Sequence, residues 1–119
     1  DAMDSLRRGQ ATRREIDALI DAMNVAEALS NRGIGNDWAA EIRTAQDSLL
    51  TLARRGVAND MRFIVKGEEL KALNLGMEIH TAQLEAVTVK ELETALNDVM
   101  ETLRLKKMRS IVEKTHAST

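Results

Sequence analysis

Residues 38–56 read WAAEIRTAQDSLLTLARRG. Trp38, Ile42, Ala45, Leu49 and Leu52 recur at spacings of four, three, four and three, which places them on one stripe of an α-helix. No alternation of apolar and polar residues competes with that period, so the segment reads as a helix with a narrow apolar seam. Asn36 or Asp37 stands where a side chain can accept from the free amides of the first turn. Arg54-Arg55-Gly56 puts cations and then a glycine at the end where the helix dipole is negative. Trp38, in the first turn, is expected to anchor one end of the core.

The same period extends to both sides. Upstream, Ile16, Leu19, Ile20, Met23, Ala26 and Leu29 (or Ser30) share a face of a helix read from about Asp4 to Asn31. Thr12 and Glu15 form a Thr-x-x-Glu capping box, so the packed part is expected to begin at Arg13 and residues 1–12 to form a frayed arm. Gly33-Ile34-Gly35 stops that helix. Downstream, Leu70, Leu73, Met77, His80, Leu84 and Val87 define a third helix after Gly67. Thr88 and Glu91 repeat the Thr-x-x-Glu signal and open a fourth, running to about Lys114 with Leu92, Leu96 (or Ala95), Val99 and Leu103 as its seam. Residues 115–119 are expected to fray. Between the second and third helices, Phe63-Ile64-Val65 is a short apolar run flanked by Arg62 and Lys66. It reads as an extended connector, or as an edge strand that pairs with another chain.

Short connections between long helices favour antiparallel neighbours. The expected fold is all-α: a single domain over residues 1–119, with two helical hairpins in a four-helix bundle-like arrangement and a short extended connector between them. Composition agrees. The chain has 119 residues, no Pro and no Cys, 44% hydrophobic residues and only 2% aromatic ones, so its core is built from aliphatic side chains and Met. The absent cysteines exclude disulfides, thiolate metal sites and Cys nucleophiles. A formal charge of −2 argues against a general nucleic-acid binder. No apolar run approaches the roughly 20 residues of a membrane span, and no signal peptide is visible.

Residues that could carry chemistry are few. His80 sits on an apolar seam between Met77 and Leu84, with no carboxylate beside it on that face, and reads as a partly buried structural histidine. A di-iron site needs Glu-x-x-His from two helices, and Met77 occupies the position three before His80. Arg32-Gly33-Ile34-Gly35-Asn36 lacks the third glycine and the preceding strand of a phosphate-binding loop. The expectation is a protein that is not an enzyme, with no catalytic residue, metal or cofactor.

Charge is distributed unevenly. From Glu68 to Glu101 there are eight acidic residues against two lysines, whereas Arg104 to Lys114 holds five cations against Glu113. One reading is solvated faces with cations at a helix C-terminus. The other is an acidic surface that engages a basic partner. A recognition helix for DNA should offer Arg, Lys, Asn or Gln to the bases, and the helix after Thr88 offers Glu91, Glu93 and Asp98 instead.

The stretches Leu19–Leu29, Arg32–Gly35, Arg62–Leu70 and His80–Glu85 resemble small, mostly uncharacterised helical proteins encoded by phages and prophages of Gram-negative bacteria. The similarity spans residues from about 16 to 96. It implies a cytoplasmic protein of an infected or lysogenic bacterium. Small phage accessory proteins often act by binding and blocking a host protein, including host defence complexes, and the resemblance carries no catalytic residue with it. The expected function is a non-enzymatic interaction protein that modulates a host or phage protein. Glu78, Glu85, Glu91, Glu93, Asp98 and Glu101 would steer the partner, with Arg62 and Phe63 near the connector completing the surface. Pairing into a homodimer is expected if an apolar seam stays uncovered. The alternatives are a DNA- or RNA-associated regulator that uses the basic ends, and a structural or assembly protein of the phage particle.

Overall fold

The structure is a computed structural model that describes the backbone of residues 1–117 and the side chains of residues 1–110. Among the described residues the chain is all helix and turn, with no strand: α1 (Ala2–Arg7), α2 (Arg13–Asn31), a 3-10 turn (Asn36–Trp38), α3 (Ala39–Ala58), α4 (Gly67–Ala86) and α5 (Val89–Ala117). No helix among them is long and apolar enough to cross a membrane. The all-α, bundle-like architecture is the one the periodicity requires.

α2 is the central element and packs against α1, α3, α4 and α5. One of its faces, Ile16, Leu19, Met23 and Ala26, joins Ile42, Ala45, Leu49 and Leu52 of α3 and Leu73 of α4 in the main core. A second face, with Ala28 and Leu29, packs with Ala95 of α5 in a smaller cluster bordered by Val25, Ile34, Val87 and Val99. α2 and α3 form the first hairpin. The second pair departs from a hairpin, because α5 turns away from α4 and lies on α2. Two features direct it there. Val87 ends α4 in extended backbone, and Arg32 at the end of α2 makes a bidentate ion pair with Asp98, at 2.6 and 3.0 Å.

The amino-terminal residues are not a frayed arm. They form α1, whose Met3 and Leu6 are buried in the main core, and Arg7 donates to Asn74 Oδ1 of α4 at 2.8 Å. The single long helix read from Asp4 is broken at Gly9, which adopts φ +69°, a left-handed conformation that glycine takes without penalty. Thr12 then restarts the chain, its N–H donating to Glu15 Oε2 at 2.9 Å.

Small residues set the closest helix approach. A Cβ on Gly76 of α4 would stand 2.7 Å from the Ala45 Cβ of α3, inside contact distance, so only glycine permits this crossing. Gly56 does the same for the connector: a Cβ there would collide with the Phe63 ring. Phe63 is therefore part of the core at 3% exposure, and its assignment to a partner surface is corrected. Residues 62–66 form a connector without regular structure that pairs with no strand, and Lys66 at its end is in extended backbone. They are held by Arg55, which donates to both carboxylate oxygens of Glu69 (2.5 and 3.0 Å) and to the Ile64 carbonyl (2.8 Å).

α5 is the exception to compactness. Its 29 residues span about 43 Å at 1.5 Å per residue. Its described side chains beyond Val99 are exposed, so only the first half of the expected Leu92-to-Leu103 seam is covered. The radius of gyration is 15.7 Å, against about 13.5 Å for a compact domain of this length. The tail expected to fray at 115–119 continues α5 as far as Ala117 and otherwise lies outside the described residues, as do the side chains of Lys114 and His116.

Candidate functional site: an apolar groove walled by Trp38

Trp38 is not the core anchor the seam implies. It is 51% exposed and ends the 3-10 turn, which Gly35 opens in the left-handed region at φ +76°. Neither Asn36 nor Asp37 caps α3, because the chain makes that extra turn first and α3 starts after Trp38 with no side-chain cap. The extra turn places the indole beside α4. Together with Ile34, Leu75, Ile79, Ala82 and Ala86 it lines a concave, largely apolar groove of about 420 Å³. Glu78 stands in its lining as a carboxylate. Glu85 is exposed two turns further along α4, on the same flank as Glu78 by helical spacing.

The wall under the indole is built by Gln83. Its side chain is 3% exposed, and its Nε2 donates to the Ile34 carbonyl at 2.9 Å and to the Ala26 carbonyl at 3.0 Å. That single amide fixes the α2–α3 turn against α4. Gly35 leaves the space: a Cβ there would stand 3.1 Å from Gln83 Nε2. The Gln83 Oε1 in turn lies 3.4 Å from His80 Nδ1. His80 is buried, and burial pushes its pKa below the ordinary value, with the Gln83 contact opposing only part of that. A neutral imidazole with one amide neighbour has the surroundings of a packing residue. Among the described residues no group of three or more His, Cys, Asp or Glu side chains is placed to hold a metal ion.

The acidic residues singled out in the sequence fall on two separate surfaces, because α5 lies on α2 rather than on α4. Glu78 and Glu85 belong to the groove side of α4. Glu91 caps α5, accepting from the Thr88 N–H at 2.9 Å while the Thr88 hydroxyl accepts from the Glu91 N–H at 3.1 Å. Asp98 is held by Arg32, whose guanidinium keeps the carboxyl below its ordinary pKa, and Glu101 is held in the same way by Arg104 at 2.6 and 3.1 Å. Glu93 is exposed on α5, and Arg62 is exposed on the connector.

The groove residues Leu75, Ile79, Ala82 and Ala86 carry a signal of their own. Their spacing of four, three and four gives α4 a second apolar edge beside its core seam. The core seam itself runs through Glu69, Leu73, Gly76, His80 and Gln83, sharing Leu73 and His80 with the expected line but standing one residue before it at Glu69, Gly76 and Gln83, and Leu84 is exposed.

Comparisons of the chain with protein-family models, curated proteins and solved structures returned no match.

Proposed function

We propose that this protein is a non-enzymatic binding module whose Trp38 groove accepts an amphipathic helix of a partner protein. A bulky apolar side chain of that helix fills the groove, and lysines or arginines flank it. The observation that carries this reading is the half-exposed indole facing a concave apolar surface. An exposed Trp beside an apolar concavity is the composition and shape of an interface anchor point. The flank of Glu78 and Glu85 supplies the sign of charge that a basic segment needs, and it favours fast, salt-dependent capture. The phage and prophage resemblance supports a bacterial cytoplasmic setting, with a host protein as the partner that is modulated or blocked.

The test is affinity capture from bacterial lysate with the wild type, Trp38→Ala and a Glu78→Lys/Glu85→Lys double variant, followed by titration of the purified captured protein. The chain has one Trp and no Tyr, so its ultraviolet emission reports on the groove alone. The expected result is a partner that blue-shifts this emission, is lost with Trp38→Ala, and binds the double variant more weakly and with less salt dependence. A captured protein that binds all three forms equally and leaves the emission unchanged overturns the reading.

A further inference from the structure

Along α5, Glu93, Leu96, Met100, Leu103 and Lys107 recur at spacings of three, four, three and four. Successive 100° steps place all five within an arc of about 80°. This arc lies beside the one that faces α2. Met100 is 67% exposed, Leu103 51% and Leu96 42%, while Glu93 and Lys107 are exposed at the two ends. The result is a heptad seam about 21 Å long, with three apolar residues in the middle, an acid at one end and a base at the other; Leu103, at its edge, also borders the cleft that Asn24, Glu27 and Ala28 of α2 form with α5.

That order is self-complementary in one orientation only. In two antiparallel copies related by a two-fold axis at Met100, residues whose numbers are equally far from 100 stand opposite each other. Glu93 then faces Lys107 of the second copy at both ends, and the leucines close around the paired methionines. In a parallel pair, Glu93 meets Glu93 and Lys107 meets Lys107. The charge gradient of the whole helix runs the same way, acidic at Glu91 and Glu93 and basic at Lys106, Lys107 and Arg109. We infer that α5 is a homodimerisation surface and that two copies of the chain pair antiparallel through this seam. The seam is shorter than a standard interface, so the pairing is concentration-dependent and of micromolar strength or weaker. It uses a surface distinct from the Trp38 groove, which stays open in the pair.

Two measurements test this. Sedimentation equilibrium across concentrations should show a monomer–dimer equilibrium. Met100→Asp should abolish it, and Glu93→Lys should weaken it about tenfold, since two attractive contacts become repulsive in each dimer. Adding Lys107→Glu to Glu93→Lys should restore it, and Trp38→Ala should leave it unchanged. Orientation is read from cysteines, because the native chain has none. With a short thiol-specific crosslinker, Met100→Cys should link to itself. Glu93→Cys should not, since its two copies would lie about 21 Å apart along the axis, but it should link when mixed with Lys107→Cys. A chain that stays monomeric up to about 1 mM, self-linking of Glu93→Cys as efficient as that of Met100→Cys, or association lost with Trp38→Ala and kept with Met100→Asp would each overturn the inference.

Discussion

Replacing Gln83 with Leu tests whether one buried amide holds the groove together. The two side chains have similar volume, so little cavity or overpacking is introduced. What is lost is specific. The Ala26 carbonyl lies inside α2 and keeps its place in the helix ladder, whereas the Ile34 carbonyl lies in the turn and takes its hydrogen bond from Gln83 Nε2 at 2.9 Å. Orphaning that carbonyl costs about 1–3 kcal/mol, and the second bond to Ala26 adds roughly 0.5–1 kcal/mol. The more apolar side chain returns about 1 kcal/mol through burial. The net expectation is a destabilisation of about 2 kcal/mol. In a domain of this size that lowers Tm by roughly 8 °C, and with an m-value near 2 kcal/mol/M it moves the urea midpoint down by about 1 M. Because the lost bond closes the α2–α3 turn, amide exchange should accelerate first at Trp38, whose N–H donates to the Gly35 carbonyl, and at Ile34, whose N–H donates to the Leu29 carbonyl. A Gln83→Leu protein as stable as the wild type, with those two amides still protected, would refute the assignment of Gln83 as the clamp.

Three further outcomes follow from the geometry. His80 is held neutral by burial, so its folded pKa lies below its unfolded value; the stability this gives is complete above about pH 6.5 and is lost as the pH falls from there through the folded pKa. Urea titrations between pH 5 and 7.5 should therefore show a steeper loss for the wild type than for His80→Gln, and parallel curves would contradict the buried neutral state. Glu69 has its pKa lowered, first by the Arg55 hydrogen bonds and also by the Lys66 N–H, so its contribution is present above about pH 4.3 and disappears as the pH drops through the folded value; Arg55→Ala should cost about 2–3 kcal/mol near pH 7 and weaken that acid-limb dependence. Asp60 and Met61 both adopt positive φ, 53° and 64°, in the turn closed by the Arg62 N–H donating to the Asn59 carbonyl; Met61→Gly should stabilise the protein by about 1 kcal/mol in thermal denaturation, and a loss of stability would show that the Met61 side chain contributes more than its strained backbone costs.

Much of the fold was legible because it rests on apolar spacing and on two capping boxes. Ile42, Ala45, Leu49 and Leu52 are buried where their period puts them, and Thr88 with Glu91 starts α5 where the motif stands. The failures share a physical origin. A seam read from apolar residues alone passes over Gly76 and Gln83, yet a missing side chain at a crossing and an amide with two carbonyl partners are as much core as a leucine. Trp38 and Phe63 exchanged roles for the same reason. Gly56 makes room for the phenyl ring, and the 3-10 turn carries the indole outward, and neither event is encoded in the hydrophobicity of the aromatic residue. The candidate groove was legible only as the second apolar edge of α4, and the ion pair that sets the course of α5 joins Arg32 and Asp98, 66 positions apart.

The unequal division of the interior has an energetic consequence. α1, α2, α3 and α4 share the large cluster, while α5 packs its Ala95 and half-covered Val99 on Ala28 and Leu29, bordered by Val25, Ile34 and Val87. Detaching α5 therefore exposes far less hydrocarbon than global unfolding, and it can pivot at Val87-Thr88 while the remainder stays folded. The polypeptide is built as a rigid body with a latch: releasing α5 should cost less than unfolding the whole, and each release would uncover the back of α2 around Ala28 and Leu29.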